Sequence, residues 1–483
     1  MPVVNKNYDV VVVGSGPAGI GAALASARTG AKTLIIEKHS YLGGMMTGGL
    51  VTGFHGMRVH QGHYSKGPGS MLMTDKHTPL VVKGIALEMC NRLKEVGGAY
   101  TDIDDPPMRV EFDPEALIPV LFKMCQESGV DILLDSIVYG VEMDGKRINY
   151  VKVANKSGEV HVHAKTFVDT SGDGDLIEWS GAGFHMGIGE TRRCMPLTIY
   201  MVLGDVDLQK LLDYYKQNPD DLDIGDPEKW QKLFDAGAPI ALMGLHKLLI
   251  NAGKDHVYPM PLGCENELAI PIFDIQTSVL PANTCKLLVD MAYGIDLTDG
   301  DDWSRAEIDI RTNQLPGILT FMRKYVPGFE NCYCMYTASQ LGTRESRRLD
   351  GVYTFCHEDI MSNAHFEDSI GRTGRAMNVH STGGGKQGEI SGGRKWTEAP
   401  NPIGADIPYR ALISPRVSNL LAGGRCISVD RDALGSVRGE PVCMVTGEAA
   451  GAAAAIAALK DVTVQEVPVN ELQALLKSRN VII

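Results

Sequence analysis

Residues 8–37 read YDVVVVGSGPAGIGAALASARTGAKTLIIE, a stretch that admits few folds. A β-branched run from Val10 to Val13 leads straight into Gly14, Gly16 and Gly19. A small-residue helix and a second apolar run, Thr33 to Ile36, follow, and the acid Glu37 closes the unit. Strand, turn, helix and strand in this register make the βαβ unit of a dinucleotide-binding domain. Gly14 permits the tight turn, Gly16 lets the backbone approach a pyrophosphate, and Gly19 allows helix and strand to pack closely. The helix that starts near Pro17 turns unpaired N–H groups toward the phosphates. Glu37 can accept hydrogen bonds from a ribose diol, which favours an adenosine ribose without a 2′-phosphate. The motif alone leaves FAD and NAD both open.

At 483 residues the chain exceeds one typical domain, so a nucleotide domain plus a substrate-facing domain is expected. A net charge of −13 disfavours nucleic acid or anionic membrane as a partner. The ten cysteines are scattered, with no CxxC and one close pair, Cys332 and Cys334. That pattern fits reduced thiols better than a disulfide scaffold or a zinc site, and no metal is expected. The first strand begins within a few residues of Met1, which leaves no signal-peptide pattern. The longest apolar stretch, Val442 to Leu459, contains Glu448 and many alanines and glycines, which suits a buried helix better than a membrane span. A cytoplasmic location is expected.

Further along, a helix is expected over about 84–96 and another after Asp113-Pro114, where Asp caps and Pro fits the first turn. Asp144-Gly145 and Ser157-Gly158 are hairpin signals, so the segment from Val130 reads as a three-stranded antiparallel meander returning to a core strand, Thr166 to Asp169. From about Arg193 to Tyr336 the α/β regularity is lost: a strand-like TIYMVLG (198–204) precedes a charged helical stretch (205–235). The final third returns to the first style, with NLLAGGR (419–425) as a strand ending in glycines and 441–459 as a tightly packed helix.

Three further segments sharpen the reading: the doublet Gly43-Gly44, FVDTSGDGD (167–175), and NLLAGGRCIS leading into ALGSVRGEPVCMVTGEAAG. Together they resemble the glutathione-reductase-type FAD fold and the FAD-dependent oxidoreductase family, over roughly 1–190 and 340–460. The fold class implied is α/β: a Rossmann-like FAD-binding domain, parallel sheet plus three-stranded meander, with an inserted α+β substrate domain. The boundaries expected are 1–192, the inserted 193–336, a return over 337–465, and a tail helix in 466–483. The resemblance puts Gly14, Ser15, Gly16, Pro17, Ala18 and Gly19 under the FAD pyrophosphate, Glu37 on the ribose, and Lys38 among the cofactor contacts. It puts Gly43, Gly44 and Thr47 along the stretch toward the flavin and the Val138 backbone at adenine. Thr170, Ser171, Gly172 and Asp173 close over the adenosine and phosphates, opposite Gly424, Arg425 and Cys426. Ser171 stands where the family's ATGDGD pattern has threonine. The positive end of the last long helix, at Pro441 and Val442, would face the flavin N1–C2=O edge, with Arg438 adding to its field.

No second GxGxxG turn stands between an apolar strand and a helix, and no CxxxxC pair occurs, so hydride is expected to pass directly between substrate and flavin N5 or to enter from a separate donor. Catalytic candidates are Arg344, Arg347 and Arg348, suited to a carboxylate or phosphate although such arginines also make structural ion pairs. His380 has the pKa to take a hydroxyl proton. His55, His60 and His63 follow the glycine doublet, and Tyr409 could hydrogen-bond substrate or pack at the domain junction. The leading reading is a flavoenzyme acting on a small-molecule substrate, with the electron donor or acceptor and homo-oligomerisation left open. The alternatives are a flavin-dependent hydroxylase of the same fold or a binding protein that kept the fold without redox work. A halogenase reading falls because WxWxIP is absent and the four tryptophans (179, 230, 303 and 396) are dispersed.

Overall fold

The computed structural model describes residues 3–59, 79–100, 109–222, 226–238, 240–255, 257, 261–263, 273–276, 283–380, 382, 389–390, 394–395 and 404–483. The sequence-based candidates His60 and His63 lie outside these residues, as does most of the glycine-rich segment after His380.

The first core is built around β1 (Val4–Val13), followed by α1 (Pro17–Arg28) and β2 (Thr33–Ile36). Two more helices, α2 (Ile85–Glu95) and α3 (Pro114–Ser128), precede β3 (Asp131–Leu133). Asp113 caps α3 by accepting from the Glu115 amide at 2.8 Å, with Pro114 at the first position. Strands β4 (Ile137–Asp144), β5 (Arg147–Asn155) and β6 (Gly158–Asp169) form the meander. The sheet order is β3-β2-β1-β6-β5-β4. The sequence suggested a meander followed by a separate core strand at 166–169. The two are instead one continuous strand: β6 pairs antiparallel with β5 through its first half and parallel with β1 along its whole length, Val4 opposite Val160 and Val13 opposite Asp169. Its end is flanked on the other side by the parallel strand Leu420–Ala422, expected from NLLAGGR.

A second core, drawn from residues between Met186 and Leu341, surrounds a five-stranded antiparallel sheet. Its strands are β7 (Met201–Gly204), β8 (Ala241–Met243), β9 (Phe273–Gln276), β10 (Thr284–Val289) and β11 (Tyr333–Thr337), in the order β8-β9-β10-β7-β11. The charged stretch 205–235 is two helices, Leu208–Gln217 and Pro227–Asp235, rather than one. Pro219 and Pro227 interrupt the run, and Asp207 and Asp226 cap each piece.

The long C-terminal helix α4 (Glu440–Lys460) returns to the first core, and α5 (Val469–Ser478) packs beside it. Among the described residues, α4 is the one helix long and apolar enough to cross a membrane, yet 94% of its apolar window is buried inside the protein. Glycines set its contact with α1. A Cβ at Gly447 would lie 2.0 Å from the Ala18 carbonyl oxygen, and one at Gly451 2.0 Å from that of Ala22. The helices therefore run parallel and touch backbone to backbone. Every described cysteine is a free thiol.

Glu448, on α4, reaches across to α2. Its Oε2 accepts from the Ile85 amide at 2.9 Å, doing for this helix what the preceding residue, Gly84, has no side chain to do. Burial lifts the Glu448 carboxyl from 4.5 to about 7, against the pull of that amide. The carboxyl is neutral in both folded and unfolded chains below its ordinary value. Between there and about pH 7 the unfolded chain gives up its proton while the folded protein keeps it, so stability falls as pH rises through this window. The loss is about 3 kcal/mol for such a shift. We predict that Glu448→Gln removes it: in urea unfolding from pH 4.5 to 8, the wild type should lose about 3 kcal/mol relative to the variant. Parallel pH curves would refute the assignment.

Candidate functional site

The glycine turn is locked from four sides. Gly14 has φ +92°, and a Cβ there would sit 2.6 Å from the Thr170 carbonyl oxygen. The Thr170 hydroxyl donates to the Val13 and Gly14 carbonyls at 2.8 and 2.9 Å. Glu37 Oε2 accepts from both the amide and the hydroxyl of Ser15, at 2.8 and 2.6 Å, and its Oε1 accepts from the His39 amide at 2.9 Å. The Gly43 amide donates to the Ser15 carbonyl at 2.9 Å. Glu37 thus first clamps the turn, a role its position at the strand end did not reveal, and it also lines the cavity described next. Gly16 has nothing within 4 Å of a built Cβ, so its face is open.

That face opens on an elongated cavity of about 670 Å³. Its walls include Gly14, Ser15, Gly16, Pro17 and Ala18 from the turn, Glu37 and Lys38, Gly44, Val138, Thr170 to Asp173, Gly424, Arg425 and Arg438. Gly19, Gly43, Thr47, Cys426 and Val442 are not in the wall. Gly19 packs the helix on the turn, where a Cβ would meet the Gly14 carbonyl oxygen at 1.9 Å, and the Thr47 hydroxyl is spent on the Leu42 carbonyl at 2.8 Å. Ile137, Tyr139 and Trp179 also line the cavity near Val138 and were missed at the sequence level. Tyr200, Leu288 and Trp303 bring the second core to the same space.

The parallel contact of α1 and α4 gives the cavity a scale. Ala18 lies against Gly447 and Ala22 against Gly451, while Gly21 lies against Met444 and Glu448, so α4 projects about three residues, or about 5 Å, beyond the start of α1. Two helix N-termini therefore face one cavity at staggered depths. The α4 end is rich in guanidinium groups. Arg438 donates to the Asn378 carbonyl at 2.8 Å, and burial, then Arg375, Arg344 and Arg425, hold its proton affinity well below the ordinary value. Arg438 Nε and Arg425 Nη1 are buried with no partner among the described residues. An anionic ligand carrying several acceptor oxygens fits this wall.

The candidate catalytic residues divide. Arg344 lines the cavity, donating to the Pro196 carbonyl at 2.6 Å and pairing with Asp290 at 2.9 Å. His380 is brought to the same acid, Nδ1 to Asp290 Oδ2 at 2.9 Å, but is not part of the wall. Burial and then Arg344 lower its pKa to about 4, so it is a neutral imidazole at pH 7. Arg348 is buried on Glu345, which also receives Arg431 at 3.2 Å. Arg347 ties Asp175 and Glu178. The Tyr409 hydroxyl donates to the Val464 carbonyl at 2.7 Å in the first core, the packing role weighed above. His55 is half-buried in a short strand, Gly53–His55, outside the wall; its carbonyl oxygen flanks Gly439. Arg348, Tyr409 and His55 are thus not brought to the cavity. Sequence reading missed Glu440, which lines the cavity with its carboxyl oxygens buried, and Asp290, which joins two of the candidates.

We predict that Asp290→Asn, which strips the shared acid from buried Arg344 and His380, costs about 3–5 kcal/mol of stability. Denaturant unfolding checks this, and a loss below about 1 kcal/mol, typical of a surface pair, would contradict it.

With this geometry in place, comparison with known proteins is informative. The family model described as FAD dependent oxidoreductase matches residues 9–476. The chain is 30% identical to the NADH:fumarate oxidoreductase of Klebsiella pneumoniae over 189 residues, 35% of this chain and 20% of that protein. It is 30% identical to the digeranylgeranylglycerophospholipid reductase of Picrophilus torridus over 182 residues, 36% of this chain and 42% of that one. The chain thus covers less than half the length of either relative. A solved structure of a geranylgeranyl bacteriochlorophyll reductase-like protein from Thermoplasma acidophilum superposes with a TM-score of 0.46 at 14% identity, covering 98% of this chain and 84% of that one.

Proposed function

The chain belongs to the FAD-dependent oxidoreductase family, and from that premise we propose that it moves a hydride between a small organic substrate and the flavin N5 position of bound FAD. The observation that carries this reading is the stagger of α1 and α4 along one cavity. The turn at Gly14–Ala18, with the first N–H groups of α1, would hold the diphosphate. Glu37 and Lys38 would meet the ribose, and Val138 with Tyr139 and Trp179 the adenine. Arg438 and the start of α4, about 5 Å farther along, would face the isoalloxazine ring. FAD supplies the two-electron chemistry; the protein positions, shields and charges. Tyr200, Leu288 and Trp303 suit an apolar substrate body and exclude water around it, and Arg344, fixed on both sides, presents a rigid cation to the same space.

The reading predicts a yellow protein with a flavin absorbance spectrum after purification or addition of FAD. Anaerobic mixing with a panel of small metabolites should bleach that spectrum with one of them, or a reduced sample should be reoxidised by one. A flavin that exchanges electrons with no organic molecule would contradict the proposal. Incorporation of an oxygen atom from O₂ into the product would move the protein to the hydroxylase reading.

A further inference from the structure

Glu440 is the first residue of α4 and lines the cavity; 7% of the residue is exposed, and both carboxyl oxygens are buried just behind the wall. Neither carboxyl oxygen meets a hydrogen-bond donor among the described residues. The next residue, Pro441, has no N–H to offer. The titratable groups near it come from three elements. Lys286 stands on β10 of the second core, Arg375 follows the strand Ser369–Thr373, and Cys443 lies further along α4. Lys286 Nζ donates to Thr52 Oγ1 at 2.6 Å and to the Leu50 carbonyl at 3.2 Å, and sits 4.8 Å from the centre of the Tyr200 ring. The Arg375 side chain packs on Gly439, where a Cβ would touch its Cδ at 2.9 Å.

Burial favours the neutral acid, while Lys286, Arg375 and the helix N-terminus favour the carboxylate. Burial prevails and holds the Glu440 pKa well above the usual carboxyl range. A neutral acid set among cations has a particular property. The charge it acquires on losing its proton is already provided for, so the proton can leave without stranding a bare carboxylate.

We propose that Glu440 stores the proton that accompanies two-electron reduction at this end of the cavity. Two electrons arrive from the reductant, the Glu440 O–H bond breaks, and its proton moves to the group that has taken up the electrons. Lys286 and Arg375 hold the carboxylate left behind. On reoxidation both electrons leave and the proton returns to the carboxyl. The inference rests on the flavin reading above.

The test is electrochemical reduction of the FAD-loaded protein in an infrared cell, with electrons supplied by the electrode. In the wild type, reduction should bleach a carbonyl band of a neutral carboxyl and raise a carboxylate band, and reoxidation should reverse both. In Glu440→Gln the two carboxyl signals should be lost while the flavin bands change as before. Should that variant fail to fold, Glu440→Asp should keep the bleach at a shifted frequency. Identical carboxyl signals in the variants, or none in the wild type, would overturn the assignment while leaving FAD binding intact. A wild-type protein that never takes up FAD would defeat the flavin reading itself, and this inference with it.

Discussion

The organisation of this protein depends on the glycine-mediated contact of α1 with α4. Gly21, Gly447 and Gly451 each stand where a Cβ would collide with a carbonyl oxygen of the facing helix, at 2.6, 2.0 and 2.0 Å. A glycine inside a helix costs about 1 kcal/mol relative to alanine. Three such positions are therefore a standing expense, offset by the dispersion contacts that close packing allows. What the contact secures is a fixed stagger. Side chains of ordinary size would separate the helices and let them slide, and the two positive ends would lose their common line along the cavity. The same contact explains why α4 is apolar on every face: it is enclosed by α1, the parallel sheet, α2 and α5.

The second constraint is electrostatic. Arg344, Arg375 and Arg438 each donate to a backbone carbonyl, those of Pro196, Gly435 and Asn378, at 2.6, 2.6 and 2.8 Å. Such bonds satisfy N–H groups without cancelling charge. Asp290 takes up part of the excess at Arg344, and burial favours the neutral form of Glu440. The wall is left positive around Arg344 and Arg438. A diphosphate and an electron-rich reduced ring are groups that gain from such a field.

Much of this was legible from local sequence. The turn, the hairpins at Asp144-Gly145 and Ser157-Gly158, and the strand at NLLAGG all carry their conformation in a few neighbouring residues, and the structure places each as read, whereas the clamp of Glu37 on Ser15 was not legible. The five-stranded sheet was not legible, because its strand β7 pairs with β10 and β11, about eighty and about one hundred thirty residues away, and such pairing has no local signature. The arginine run was legible as charge but not as geometry: three guanidiniums within five positions turn to four carboxylates, Asp290, Asp175 with Glu178, and Glu345, and of the three only Arg344 reaches the cavity. Asp290 and Glu440 were hidden for a related reason. Each is an isolated acid in an apolar stretch, and its meaning comes from residues distant in the chain that fold around it.

The account's central claim is that a cofactor lies extended between the two helix ends, and an experimental density map of the FAD-soaked protein tests it most directly. The diphosphate should appear against Gly14–Ala18 and the tricyclic ring against Arg438 and Glu440. Density for FAD in the reverse orientation, or a nicotinamide dinucleotide in its place, would contradict it.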